Sequence, residues 1–299
     1  MNATDLELVA DQNGFFAYKV CREWKRDLVM TLKLGERKVT VPFPCGKDSL
    51  RLDVELVDAD CIVSVGQAGF RGLVRGKQDY HVSPRNRTYL ISGSGRCGTQ
   101  AVAQYLDGMS TSSGRALVAR HETLYEYLLP LVRNRDVASV CQIAEGMLHD
   151  VESAPYYALI PEAIRADVVI HLIRDGRRVV QSGMNRGWYR DNSIWNQIKP
   201  VFSADQFENC CHLWRLAAEN METKTSHVFR LEDIVASSDE RQRLMVLLDI
   251  TTEQDDGFPM ANQGDKSSDF AKWSLTQRSA FESICGPVMD RYYPGWRDE

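Results

Sequence analysis

Apolar and polar positions along this chain keep two rhythms. Between Leu28 and Phe43, LVMTLKLGERKVTVPF gives two β-rich runs around Gly35-Glu36, and LRLDVELVDADCIVSVG (Leu50 to Gly66) alternates apolar with polar residues at period two. Gly69, Gly72 and Gly76 then punctuate FRGLVRGK. This pattern predicts a small antiparallel β domain or elaboration over residues 1–86, ending near HVSPRNR.

From Thr88 the rhythm becomes strand then helix. TYLISG reads as a short buried strand, and in TQAVAQYLDGM the residues Val102, Leu106 and Met109 share one helical face. RALVAR (Arg115 to Arg120) reads as a second strand, and DVVIHLI (Asp167 to Ile173) as a third, apolar enough to be buried on both faces. Phe207, Cys211, Trp214, Ala218 and Met221 have the spacing of an amphipathic helix. HVFRLEDI supplies a fourth strand, with Glu232 and Asp233 placed to start another helix. Such alternation predicts an α/β fold, a three-layer parallel sheet over residues 87–299. NQGDKSSD (Asn262 to Asp269) reads as a loop.

Composition narrows the classes. The chain has 299 residues, enough for one large domain or two ordinary ones. Hydrophobic residues at 43% and charged residues at 26% describe an ordinary soluble protein. A net charge of −5 and a pI near 5.8 argue against a general nucleic-acid binder, whose footprint would be basic. No apolar run has the length of a membrane span, and MNATDLELVADQ lacks the basic and apolar regions of a signal peptide, so the cytosol is the expected location. The eight cysteines form no C-x-x-C pair, so neither a zinc site nor a disulfide framework is signalled.

The chemistry concentrates in two segments. In YLISGSGRCGTQ (Tyr89 to Gln100), an apolar run leads into Gly93 and Gly98 with four residues between them, then Thr99. A strand, a glycine-rich turn and a helix start aim several N–H groups and the positive helix end at one point, which favours an anion. Thr99 stands where a triphosphate-binding loop has lysine, while Arg96 inside the loop brings a permanent cation. Downstream, DVVIHLI runs into RDGRRVVQS, placing Arg174, Arg177 and Arg178 at the carboxyl edge of the sheet, where open α/β folds bind ligands. Asp175 has the chemistry of a metal ligand, but three arginines beside it favour an anion. Ser182, eight residues after Arg174, reaches the same anion only if its helix packs across the strand end.

GSGRCGTQ before a helix, a buried strand leading into RDGRRVVQS, then RLEDI, then KW and a terminal helix ending in CGPVMDRYYPGW together resemble the PAPS-dependent sulfotransferases. The likeness spans Arg87 to Trp296 and leaves the β segment unmatched. It implies that Gly95, Arg96, Cys97, Gly98, Thr99 and Gln100 wrap the 5′-phosphosulfate. It further implies that Arg174 and Ser182 hold the 3′-phosphate, and that a late loop adds contacts, with Lys266, Ser267 and Lys272 as candidates. The implied activity is transfer of a sulfuryl group from PAPS to a hydroxyl or amine of a small-molecule acceptor, a polar natural product being the leading class, with PAP as product. A sulfuryl group carries less charge than a phosphoryl group, so cationic side chains and backbone donors can stabilise its transfer, and no metal is expected. Arg96 would then stabilise the departing phosphate oxygen.

The acceptor needs a general base, and ARHETLYEYL places His121 and Glu122 just after the second predicted strand. Glu122 is the first choice and His121 the second; a plain helix start is the remaining reading of Glu122. His171 reads as a core histidine and Trp214 as core, while for Trp188 and Tyr189 the readings are an acceptor or adenine pocket wall, core packing or a loop anchor. Two other functions stay open: a P-loop kinase or NTPase, which the missing lysine disfavours, and a non-catalytic nucleotide-binding protein. The β segment could serve acceptor recognition, a lid or an oligomer interface, and the pattern carries no signature of oligomeric state.

Overall fold

The structure, a computed structural model, describes residues 6–11, 14–19, 28–34, 37–43, 49–52, 61–68, 74–82, 87–147, 149–190, 200–251, 257–258 and 269–298. The chain divides into two units, Met1–Asn86 with Cys141–Leu148, and Arg87–Val140 with His149–Glu299.

In the first unit, β1 (Leu6–Asp11), β2 (Gly14–Lys19) and β5 (Ser49–Leu52) form one antiparallel sheet in the order β1-β2-β5. A second sheet has the order β4-β3-β6-β7, from β3 (Leu28–Leu34), β4 (Arg37–Phe43), β6 (Cys61–Ala68) and β7 (Val74–Val82), again antiparallel. Thr31 and Thr40 pair across β3 and β4 with their hydroxyls 3.2 Å apart, a cross-strand match that helps hold register.

The second unit is built on five parallel strands in the order β12-β11-β8-β10-β9. These are β8 (Tyr89–Ser92), β9 (Ala119–His121), β10 (Val151–Ser153), β11 (Val168–Ile173) and β12 (Val228–Arg230). The described helices are α1 (Thr99–Leu106), α2 (Tyr125–Arg133), α3 (Val137–Gly146), whose residues from Cys141 on belong to the first unit, α4 (Gly176–Asn185), α5 (Gln206–Glu222), α6 (Leu231–Ala236), α7 (Ser238–Leu247) and α8 (Leu275–Tyr292). Strand β11 shows why the sheet is sandwiched. Val168, Ile170 and Leu172 join a core with Val102 and Leu106 of α1 and Leu244 and Met245 of α7. Ile173 belongs instead to the core of Val179, Trp214, Phe281 and Met289, from α4, α5 and α8, as the period-two alternation of a strand requires. The expected stripe of α5 is buried throughout, Phe207, Cys211, Trp214, Ala218 and Met221 included.

Three expectations need correction. Helix α1 ends at Leu106, so Met109 packs on the core from beyond it. Residues 115–118 are not strand. Leu117 bonds Gly108 and Met109 through its backbone, and Asp150 takes the Val118 amide at 2.8 Å while pairing with both Arg115 amino groups, so those groups are spent before a ladder forms. Strand β10, V-E-S, was not anticipated, because three residues with two polar side chains carry no apolar run.

Order in the sheet creates a crevice. From β8 the chain proceeds towards β10 and β9, and from β11 it proceeds to β12, so connections diverge between β8 and β11. Such a switch point is where open α/β sheets bind ligands.

His171 lies on the α8 face of β11, 1% exposed, edge-on to the Tyr292 ring at 5.8 Å. Burial lowers its titration from the ordinary 6.5 to about 4, against a smaller upward pull from Glu222. The unfolded chain therefore binds this proton first, and the stabilisation is complete above pH 6.5 and lost as pH falls towards 4. We expect stability to drop by about 2 kcal/mol between pH 7 and 5 from this residue. Urea unfolding followed by tryptophan fluorescence should show that loss in the wild type and a flatter pH dependence in His171→Gln.

Candidate active site

The turn after β8 runs from Gly93 to Gly98 and opens into α1. A Cβ on Gly93 would sit 2.0 Å from the Leu172 carbonyl oxygen of β11, so only glycine allows the loop to leave the sheet there. Gly98 caps α1 at φ 99°, and no side chain caps that helix end, which leaves first-turn N–H groups for an anion. Arg96 adopts φ 69°, a left-handed conformation uncommon for any residue but glycine.

Two distant segments meet on Arg96. Its Nε donates to Ser182 Oγ of α4 at 3.0 Å, and Arg174 Nη1 donates to its carbonyl at 3.1 Å. Helix α4 starts at the end of β11, where Asp175 caps it by accepting from the Arg177 amide. The indole of Trp214 donates to the Arg174 carbonyl at 3.0 Å, tying that strand end to α5. Arg96 is half-buried, and burial first, then the Arg186 and Arg174 charges, lower its proton affinity. A guanidinium keeps its proton regardless, so the physical meaning is an accumulated positive charge. Among the described residues, none of Arg96, Arg174 and Arg186 has a carboxylate ion pair.

Arg177 departs from expectation. It turns from the crevice to pair with Asp175 at 2.7 Å and to donate to the Trp296 carbonyl at 3.0 Å. Asp175 is thereby occupied as helix cap and ion-pair partner. Arg186 was missed by the sequence reading, although it follows Ser182 by four residues and so shares its helical face.

The remaining wall comes from β9 and β10. Their parallel pairing sets Ser153 beside both His121 and Ile91, so the ends of β8, β9 and β10 lie together. His121 Nε2 lies 3.1 Å from Thr99 Oγ1, and Ser153 Oγ donates to the Thr99 carbonyl at 2.9 Å. Thr99 thus spends its hydroxyl on His121. Burial lowers the His121 titration below its ordinary value, partly offset by Glu152, which keeps the ring neutral at neutral pH. Glu122 follows at φ 50°, half-buried, close enough for its charge to oppose the shift on Arg96.

The other named residues divide as follows. Gly95 lies in the turn, Gln100 is exposed on α1, and Cys97 is fully buried, so only its backbone faces a loop ligand. Lys266 and Ser267 fall outside the described residues; Lys272 ends a short 3-10 turn, Asp269–Lys272. Trp188 is core, packed on Gly183, and Tyr189 is half-buried at φ 66°. Among the described residues no helix is long and apolar enough to cross a membrane, and no group of three His, Cys, Asp or Glu gathers for a metal ion.

No family model matches the sequence, and no curated protein matches it. Among solved structures, the chain is similar to the sulfotransferase domain from the curacin biosynthetic pathway, at 16% identity and a TM-score of 0.41, over 67% of this chain and 91% of that one. It is also similar to the sulfotransferase domain from the Synechococcus PCC 7002 olefin synthase, at 14% identity and a TM-score of 0.38, over 67% and 87%. Both neighbours are sulfotransferase domains. Neither likeness is close enough to carry an activity across.

Cys97 offers a check on the loop. Burial pushes its thiol up to about 12, despite the Thr99 amide and the Arg174 and Arg96 charges that favour the thiolate. At pH 8 roughly one thiol in ten thousand is ionised. Iodoacetamide at pH 8 should leave Cys97 unmodified in the native protein and alkylate it after denaturation, as read by peptide mass spectrometry.

Proposed function

We propose that this chain is a sulfotransferase that moves a sulfuryl group from PAPS to a hydroxyl or amine of a small-molecule acceptor. The observation that carries the reading is the meeting of Arg96, Arg174 and Ser182 over an uncapped helix start. Three guanidiniums that, among the described residues, have no carboxylate partner suit a ligand with several anionic oxygens, and the switch-point crevice suits a nucleotide. With PAPS bound, the donor supplies an activated sulfuryl group on a phosphate leaving group.

The roles follow from position. Gly95 to Gln100 present backbone donors to the 5′-phosphosulfate, and Arg96 stabilises charge on the departing phosphate oxygen. Arg174 and Ser182 hold the 3′-phosphate, with Lys266, Ser267 and Lys272 as late-loop contacts. Glu122 takes the acceptor proton. His121 faces inward onto Thr99 and ties the base-bearing turn to the phosphosulfate loop. The residues perform the transfer by positioning and charge stabilisation, without requiring a metal. A polar natural product is the acceptor class favoured.

Calorimetry tests the donor. PAP should bind without divalent metal, and Arg174→Ala should weaken it by about 10- to 100-fold, the weight of one or two charge-assisted hydrogen bonds. In a PAPS turnover assay Arg96→Ala should lose about 100-fold or more. Tight magnesium-dependent ATP binding with no affinity for PAP would replace this reading with a phosphoryl-transfer one.

A further inference from the structure

Glu152, in the middle of β10, is 7% exposed at the edge of the candidate site. Its Oε1 accepts from the Thr123 amide at 3.1 Å, and its Oε2 lies 2.7 Å from Nε2 of the buried His149, an ion-pair contact without hydrogen-bond alignment. The Thr123 carbonyl is held from the other side by the Tyr156 hydroxyl at 3.1 Å, on a side chain with no exposure. Both backbone groups of one residue are thus clamped by buried side chains.

That residue sits between two strained neighbours. Glu122 has φ 50° and Leu124 φ 54°, both left-handed and neither glycine. Each such conformation is costly for a non-glycine residue and persists only where the surroundings over-determine it. Here the surroundings are identifiable: the Glu152 clamp, the Tyr156 clamp and the Glu122 amide on the Ser153 carbonyl at 3.3 Å. A buried carboxylate is costly unless partnered, so its retention for one loop amide calls for a reason beyond packing.

We propose that Glu152 is a positioning residue, whose carboxylate, backed by His149, locks the His121–Leu124 turn so that His121 and Glu122 face the phosphosulfate loop. The functional weight of this lock rests on the sulfotransferase reading; the lock itself does not. The charged and titratable groups around the turn are Glu152 and His149 from β10 and its approach, Tyr156 after it, Arg96 from the loop, and Glu122 and His121 themselves. Of these, Glu152 is the one whose charge acts on His121, and it acts to favour the imidazolium.

The test uses the full chain with Glu152→Gln and Glu152→Ala. The His121 imidazole signals are assigned by their loss in His121→Gln and followed by NMR against pH. In Glu152→Gln, the amide oxygen still accepts from Thr123 but the charge is gone, so the His121 titration should move to lower pH while Thr123 amide exchange stays slow. In Glu152→Ala the Thr123 amide should exchange about tenfold faster. An unmoved His121 titration in a folded Glu152→Gln overturns the proposal. So does a wild-type Thr123 amide that exchanges as fast as an exposed loop, a measurement that needs no variant. PAP calorimetry separates the two readings: both variants should bind PAP within about twofold of wild type, since Glu152 lies outside the nucleotide cradle. Absence of PAP binding by the wild type would remove the donor assignment and leave the turn measurements to stand or fall alone.

Discussion

Gly93 passes against the Leu172 carbonyl so closely that any side chain would displace the backbone of β11. The approach is possible because β8 and β11 pair in parallel with Ser92 beside His171, which brings the two strand ends level. Everything at the candidate site depends on that contact. It sets the anion-binding turn beside the strand end that carries Arg174, and it starts α4 where Ser182 can lie over Arg96. Gly176 and Gly183 extend the same logic, since each abuts an indole, Trp214 and Trp188, that packs α4 down.

A concentration of guanidinium charge follows from this geometry. Elsewhere in the unit, several arginines end in carboxylates: Arg115 on Asp150, Arg177 on Asp175, Arg230 on Asp233, Arg291 on Glu222. Among the described residues Arg96, Arg174 and Arg186 at the switch point have no such pair, and the burial of Arg96 makes their mutual repulsion felt. A site of this kind gives up stability in the free protein and recovers it when an anion binds. The left-handed residues Arg96, Glu122 and Leu124 follow the carboxyl ends of β8 and β9, consistent with strain being tolerated where geometry serves binding.

Much of this was legible in residue order. The glycine pair with Arg96, the apolar run of β11 and the Arg174 to Ser182 spacing depend on short-range rules of helix, strand and turn. The stripe of α5 and the first-turn acids of α6 were equally plain. Less legible were segments whose backbone partners are not sequence neighbours. Residues 115–118 looked like strand until Asp150 and the Gly108–Met109 backbone claimed their hydrogen bonds, and β10 was too short and too polar to announce itself.

Sequence by itself thus determined the alternation of strands and helices after Thr88 and the positive, glycine-rich character of the first turn. Those properties reside in local periodicity and in side-chain chemistry that does not depend on neighbours. Tertiary structure decided which polar groups meet. Arg177 was drawn away to Asp175 and the Trp296 carbonyl, Arg186 was brought towards Arg96, and Glu152 was set beneath Thr123. The reason is that a hydrogen bond or ion pair is won by whichever partner the sheet order places within about 3 Å, and that order joins residues dozens of positions apart.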